Sequence, residues 1–465
     1  MNDIKTYQNK NIHMIGIGGT SMSGIADILL NLGFHVTGSD MNKSAVTDRL
    51  VAQGIPVTIG HFAQNVHGAD VVIYTAAVKE DNPEIVEAKK LGIELIERSD
   101  FLGGLTKLYK ETIAISGTHG KTTTTSMISS IFIEAGKDPS VQVGADVKAL
   151  NNQNYRVGKS EFFIVEACEY VRSFLKFYPK TEIVLNIEED HLDYYKDIED
   201  IKSAFQDFLN IPSEDGCLIL NADDKNCMSL REGHKAKVLT FGIQNETADI
   251  IAKDIKLNET GGYSFTAFFP ATGKKIEIHL RVPGYHHIYN ALSAILASKE
   301  YQIEDEAIQN GLEHFTGASR RFEYVGEKNG AKIYDDYAHH PTEIKATIKA
   351  AKNILEGTSG KLWVAFQPHT YSRTYTLFDE FVETFEEADE VVLLDIYAAR
   401  EKDTGLVSSQ QLAEKINEKS NNCKFIATLE EASEYLKDKI GESDILLTIG
   451  AGSITKLGRM ILEKK

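Results

Sequence analysis

Cysteine is scarce. The 465-residue chain has four (Cys168, Cys217, Cys227 and Cys423), and none falls in a Cys-x-x-Cys pair. That excludes a disulfide scaffold and a cysteine-rich zinc site, and it fits a reducing compartment. Nine prolines leave no proline-rich linker. Positive charge is in deficit: 50 Lys and Arg stand against 68 Asp and Glu, a formal net charge of −18. Such a surface disfavours nucleic acid and anionic lipid as partners. No apolar run exceeds strand length, so no segment is long enough to span a membrane. The stretch 1–11 is polar and lacks the apolar core of a signal peptide. The expectation is a cytoplasmic protein with no membrane or nucleic-acid partner and no obligate protein partner evident. What the chain does have is 42% apolar residues, an ordinary globular share. Its length corresponds to about three domains at roughly 150 residues each.

Strand-sized apolar runs alternate with helix-period stretches almost throughout, a pattern of α/β domains with parallel sheets. A first Rossmann-like domain is expected over 1–107. It opens with a strand at 12–17, the glycine turn Gly16-Ile-Gly-Gly19 and a helix carrying Met22, Ile25, Leu29 and Leu32 at helical spacing. A later strand at 71–74 carries Thr75-Ala-Ala77 at its tip. A central α/β domain is expected over 108–321, with strands at 112–116, 162–165 and 183–187. Its segments 237–243, 263–269 and 275–282 read as an antiparallel β insertion packed on the central sheet. A third, Rossmann-like α/β domain is expected over 322–465. Its strands lie near 332–335, 362–366, 391–396, 424–427 and 445–449, and a helix follows Pro341.

Two glycine loops carry the chemistry. Gly16, Gly18 and Gly19 lie between a strand and a helix, where backbone N–H groups can approach a phosphate at the positive helix end. Ser23 follows within the helix, and Asp40 lies 24 residues after Gly16. The spacing departs from the dinucleotide fingerprint, which favours a diphosphate ligand other than NAD; a tight βα turn alone would also use these glycines. The second loop is Gly117-Thr118-His119-Gly120-Lys121-Thr122, followed by Thr123. Lys121 can reach terminal phosphates and Thr122 can ligate Mg²⁺. A lysine at the positive end of a helix is poor design unless an anion sits there. Glu166 ends an otherwise apolar strand, where a cation is its natural partner. His191 follows the next strand, at the edge where α/β sheets bind ligands.

Further along, His286 and Asn290 share a helix face, and an Asn amide suits a purine edge. Arg320-Arg321 offers bidentate phosphate contacts, though a solvated pair is the commoner use of such a dipeptide. Asp335-Asp336-Tyr-Ala-His339-His340-Pro341 packs acids and histidines at a strand end. His369 and Arg373 follow another strand, and Arg373 can hold a carboxylate.

In this order the motifs resemble the Mur ligases, the ATP-dependent amide-forming ligases of peptidoglycan precursor synthesis. The resemblance runs over essentially the whole chain. It rests on His13-Met-Ile-Gly-Ile-Gly-Gly19, Gly117–Thr124, Glu166-Ala-Cys-Glu169, Asn186 with Asp190-His191, His286 with Asn290, Arg321-Phe322, Asp335–Pro341, Phe366–His369 with Ser372-Arg373-Thr374, and Gly450–Ile454. It implies a UDP-sugar domain, a central P-loop-type ATPase and a C-terminal ligase domain. The first glycine loop and the Asp335–Pro341 string point to the branch that adds L-alanine to UDP-N-acetylmuramate through an acyl phosphate. By the same resemblance, Gly16, Gly18, Gly19, Ser23, Asp40 and Thr75 meet the sugar nucleotide. The 117–123 loop, Asn290, Arg321 and Asp336 meet ATP. Thr122, Glu166 and His191 hold Mg²⁺. His339, His369 and Arg373 lie at the amino-acid site. Lys121, Glu166, His191, His339 and Arg373 are the catalytic set. The chain departs from the usual pattern at Cys168, His287, Thr370 and Arg400.

Three other readings stay open on the sequence. One is a relative that attaches a peptide to the same sugar nucleotide. The second is a nicotinamide oxidoreductase built on the first loop, which leaves Lys121, Glu166 and Asp336 unexplained. The third is a nucleotide switch that only hydrolyses.

Overall fold

The computed structural model describes residues 4–463 apart from 76, 193, 400 and 404. Ala76 of the Thr75–Ala77 tip and the departure at Arg400 therefore lie outside the described residues. The chain has a three-domain α/β fold, and its contacts gather into two compact units. The first comprises 1–188, 199–251 and 292–311; the second comprises 189–198, 252–291 and 312–465.

The first unit contains two sheets. One is a five-stranded parallel sheet of Asn11–Ile15, His35–Asp40, Val57–Ile59, Val71–Tyr74 and Glu94–Glu97, in spatial order third, second, first, fourth, fifth. Strand order reverses beside Asn11–Ile15, so a crevice opens at its carboxyl end, where the glycine turn leads into helix Thr20–Asn31. Met22, Ile25 and Leu29 are buried on that helix, as their spacing predicts.

The other sheet runs Lys237–Gly242, Cys217–Asn221, Thr181–Val184, Glu111–Ser116, Phe162–Glu166, Ser140–Val147, Gln153–Arg156. Among these seven strands only the last pairing is antiparallel. Its central strands are buried throughout, as a parallel sheet covered on both faces requires. Helix Lys121–Glu134 follows the second glycine loop.

One expectation is corrected here. The segment 237–243 does not belong to an antiparallel insertion: Lys237–Gly242 pairs in parallel with Cys217–Asn221. Helix Lys225–Ser229 lies in the connection between the two strands, a crossover of the kind that parallel pairing needs. Strand Ile250–Leu257, absent from the sequence reading, begins parallel to it through Phe241↔Ile250 and Gly242↔Ile251. Alternating charge along Lys253-Asp254-Ile-Lys256 hides that strand. The antiparallel expectation does hold for Tyr263–Phe269 with Lys274–His279, a hairpin of the second unit.

The second unit carries a six-stranded sheet in the order Glu323–Lys328, Ala331–Asp336, Ile445–Ile449, Leu362–Phe366, Glu390–Leu393, Cys423–Phe425. All pairings are parallel except the first hairpin. The ends of three strands converge, with Asp336 and Phe366 both opposite Ile449. Apolar side chains cover both faces, led by Ile344, Phe366, Phe381 and Phe385 on one and Ile333, Trp363, Leu436 and Leu457 on the other. Helix Pro341–Leu355 starts with proline in its first turn. The His340 ring accepts from Thr342 N, and Glu343 reaches back to the His340 N–H.

Candidate active site

At the first glycine turn, Gly16 sits at φ +78°, a conformation open to glycine. Its N–H and that of Ile17 both donate to the Ser39 carbonyl, at 2.8 and 3.0 Å. Gly18 N–H donates to Asp40 Oδ2 at 2.9 Å. Asp40 thus tethers the turn, and a Cβ on Gly18 would meet its carboxylate at 2.8 Å. The helix that follows has no side-chain cap, so its first N–H groups are left for an external acceptor. Thr75 closes the crevice from the fourth strand, its Cγ2 lying 3.2 Å from where a Gly16 Cβ would stand. Ser23 does not fit the ligand role expected of it. It is 2% exposed, and its hydroxyl donates to the Thr20 carbonyl within the helix. A residue inside the first turn points back along the helix, which spacing alone does not reveal. Arg98, which the sequence reading missed, donates to Ser21 Oγ at 3.2 Å and brings a cation to the same helix start.

The second loop is held from below by Asn186. Its Oδ1 accepts from His119 N–H at 2.7 Å, its Nδ2 donates to the His119 carbonyl at 3.1 Å, and its own carbonyl takes Thr118 N–H. Gly117 and Gly120 adopt φ +132° and +86°. Gly120 precedes the helix without capping it by a side chain. Lys121 curls back to the Gly117 and Thr118 carbonyls at 2.6 and 3.1 Å and pairs with Glu169 at 2.9 Å. Burial opposes its charge, but Glu169, Cys168 and Glu166 outweigh burial and raise its pKa, so it stays ionised.

Thr122 Oγ1 donates to Glu166 Oε2 at 2.9 Å, and Gly144 N–H donates to the same oxygen at 2.8 Å. A hydroxyl and a carboxylate oxygen this close are hard donors within reach of one divalent ion, so these residues fit Mg²⁺. His119 Nε2 lies 3.3 Å from Glu188, and Thr118 Oγ1 accepts from Glu188 N–H. Thr123 is buried on the helix.

The second unit gathers the expected C-terminal residues. Arg373 donates to Asp190 Oδ1 at 2.9 Å and lies 3.3 Å from His369 Nδ1. The His339 and His369 rings are 6.0 Å apart. Burial lowers the pKa of His339 to about 4, with Arg373 adding to the effect and Glu343 opposing it. His369 also falls to about 4, through burial and then Arg373. Desolvation opposes the charge of Asp190, yet His191, Arg373 and His339 hold its pKa well below the carboxylate range. His191 sits at φ +53°, its N–H bonded to the Asp190 side chain.

Asp336 is a fastener as much as a ligand candidate: its oxygens accept from Phe322 and Ala338 N–H at 2.7 and 2.8 Å. Burial raises its pKa to about 6 against the pull of Arg321 and those two N–H groups. Arg320 is committed elsewhere, to Asp335 and the Gly450 carbonyl. Arg321 stays near the Tyr337 ring and 3.8 Å from Glu343. Asn290 Nδ2 lies 3.2 Å from His287 Nδ1.

Family models cover most of the chain: the Mur ligase family catalytic domain matches residues 11–110, the Mur ligase middle domain 115–298, and the Mur ligase glutamate ligase domain 320–452. A UDP-N-acetylmuramate–L-alanine ligase of Clostridium acetobutylicum is 50% identical over 462 residues, 99% of each chain. The chain belongs to the Mur ligase family. A protein of the same name from Acetivibrio thermocellus is 48% identical, over 98% of this Mur ligase and 96% of its own length. Among solved structures, the UDP-N-acetylmuramate–alanine ligase of Thermotoga maritima superposes with a TM-score of 0.82 at 28% identity, over 98% of both chains. A murein peptide ligase of Psychrobacter arcticus shares the fold, with a TM-score of 0.72 at 23% identity over 98% of both chains.

Within this Mur ligase, the structure brings Lys121, Thr122 and Glu166 together in one unit, and His339, His369 and Arg373 in the other. Sequence reasoning left out Glu169, Asn186 and Asp190 as site residues. Each follows an apolar strand, and Glu169 and Asp190 lie three residues and one residue from Glu166 and His191.

Proposed function

We propose that this Mur ligase joins L-alanine to the lactyl carboxylate of UDP-N-acetylmuramate, consuming ATP and releasing ADP and phosphate. The full-length 50% identity to a curated ligase of that name carries the reading. The carboxylate attacks the γ-phosphorus of ATP and forms an acyl phosphate as ADP leaves. The amine of L-alanine then attacks the acyl carbon, and the tetrahedral intermediate expels phosphate.

The glycine turn with Asp40 and Thr75 holds the UDP part, and the domains run over 1–107, 108–321 and 322–465. The uncapped helix start and the 117–123 loop receive the ATP phosphates. Lys121, kept charged, neutralises the repulsion between the attacking carboxylate and the γ-phosphate. Thr122 and Glu166 would hold Mg²⁺, with His191 for a second ion; the metal supplies positive charge at the phosphates. Asn290, Arg321 and Asp336 meet the nucleotide. Arg373 receives the alanine carboxylate. His339 and His369, neutral at pH 7, add no positive charge to oppose the alanine ammonium group there. Among the described residues no helix is long and apolar enough to cross a membrane, which supports a cytoplasmic location.

The test is phosphate release from ATP and Mg²⁺, omitting one component at a time. Release that needs both UDP-N-acetylmuramate and L-alanine is the expected result. Release with a murein peptide in place of L-alanine moves the chain to the peptide-attaching branch. Release from ATP alone overturns the ligase reading.

A further inference from the structure

Glu84 stands in an unusual place for an acid. Asn82-Pro83-Glu84 opens helix Pro83–Leu91, with the Asn82 side chain accepting from Glu84 N–H. Acids are common in a first turn because the helix dipole favours them there, but they ordinarily face water. Glu84 is 0% exposed.

Its two oxygens are fully engaged. Oε2 accepts from Ser39 Oγ at 2.7 Å and faces His13 Nε2 at 3.3 Å. Oε1 accepts from Asn65 Nδ2 at 2.6 Å and from Phe62 N–H at 3.3 Å, and lies 3.4 Å from His61 Nδ1. His13 is held on its other nitrogen by Thr37 Oγ1 at 2.9 Å. These donors hold the carboxyl below its ordinary range despite burial.

The partners all lead to one place. Ser39 is the residue whose carbonyl takes the Gly16 and Ile17 N–H groups. Its neighbour Asp40 ties down Gly18 with its side chain and Gly60 N–H with its carbonyl, at 2.8 Å for the latter. Asn65 donates to the Gly60 carbonyl. One buried carboxylate thus fastens the strand end at 39–40, which anchors the glycine turn, and the loop at 60–65. A buried charge is weak evidence for stability, since a well-packed apolar residue often serves as well. A saturated buried network does fix geometry.

We infer that Glu84 is a positioning residue for the sugar-nucleotide site: through Ser39 and the 60–65 loop it sets the glycine turn, and with it the uncapped start of helix Thr20–Asn31, so that the first N–H groups of that helix meet the diphosphate. This rests on the reading that the turn holds the UDP part of the substrate.

The experiment compares wild type with Ser39→Ala, Asn65→Ala and Glu84→Gln, the last replacing one carboxylate oxygen by an NH2 group that cannot accept from the Ser39 hydroxyl, the Asn65 amide or the Phe62 N–H. Steady-state kinetics give KM for UDP-N-acetylmuramate, KM for ATP and kcat, and calorimetry gives Kd for UDP. The expected result is a rise of about tenfold in KM for the sugar nucleotide and in Kd for UDP, the size of one lost hydrogen bond's worth of positioning. KM for ATP and kcat at saturation stay within about twofold. A merely structural role lowers the active fraction, and with it apparent kcat, and leaves KM unmoved. If Glu84→Gln does not fold, the two single-arm variants decide by the same criteria. Sugar-nucleotide KM values within about twofold of wild type, or both KM values rising in parallel, overturn the inference. A wild type that itself binds no UDP and needs no sugar nucleotide overturns the reading beneath it, and that failure shows before any variant is compared.

Discussion

Arg373 Nη2 donates to Asp190 Oδ1 at 2.9 Å, with both side chains nearly buried. The cation assigned to the amino-acid carboxylate thus already holds a carboxylate, and an incoming alanine must share or displace it. A fork of donors suits either partner. Arg373→Ala is expected to raise KM for L-alanine by about 10²-fold, the loss of a charge-assisted bond of roughly 3 kcal/mol, while KM for ATP stays near wild type. Arg373→Lys should recover only part of it, because a lysine cannot present the planar fork. An unchanged alanine KM in Arg373→Ala would mean that the carboxylate is held elsewhere.

Lys121 and Glu166 both meet the 117–123 loop, one bound to loop carbonyls and Glu169, the other to Thr122. Alanine at either position should cut ligation by about 10²-fold or more, since each removes charge stabilisation where charge develops. The folded state should survive, judged by circular dichroism and thermal melting. A variant keeping more than about a tenth of wild-type turnover contradicts the role given to that residue.

The parallel sheets were legible because buried parallel strands read as continuous apolar runs: 112–116 and 445–449 stand out at once. Their glycine loops stand out too, since Gly16, Gly117 and Gly120 occupy positive φ, which few other residues tolerate. Strand Ile250–Leu257 is hidden by its lysines and aspartate, because a strand with exposed positions lacks that signature. Ser23 misled because sequence position gives no side-chain direction. Asp190 and Asn186 stand in the sequence as motif residues without a site role, for a related reason. Their roles come from what the turn after a strand brings beside them, Arg373 for one and the His119 peptide for the other, and such meetings are made by tertiary packing.

The two low-pKa histidines make stability depend on pH. His339 and His369 fall to about 4 in the folded chain, against about 6.5 unfolded. Between these values the unfolded chain binds more protons than the folded one, so stability falls as pH drops from about 6.5 toward 4. His339, with 18% of its side chain exposed, should contribute up to about 3 kcal/mol across that window. Asp336 acts in the opposite direction over part of the range: with its pKa raised to about 6, it favours the folded state in acid and loses that contribution as pH rises through 6. Denaturant melts at pH 7.5, 6 and 4.5 should show His339→Gln losing less stability on acidification than wild type. Equal pH slopes for the two proteins would show that His339 is not held neutral by burial.

Thr122 separates metal binding from phosphate binding better than any other residue at the loop. Its hydroxyl meets Glu166 Oε2, while its backbone N–H belongs to the first turn of helix Lys121–Glu134, where ATP phosphates are expected. Thr122→Val keeps the backbone, the β-branch and nearly the same volume, and removes only the oxygen. The apparent Mg²⁺ concentration for half-maximal phosphate release should rise about tenfold, the cost of one ligand or one supporting hydrogen bond. KM for ATP measured at saturating Mg²⁺ should change little, because the N–H groups that hold the phosphates remain. Chelation should abolish turnover in both proteins, and added Mg²⁺ should restore it, at higher concentration in the variant. A variant whose Mg²⁺ dependence overlays that of wild type would place the ion away from Thr122 and leave the hydroxyl as a helix-start support for Glu166.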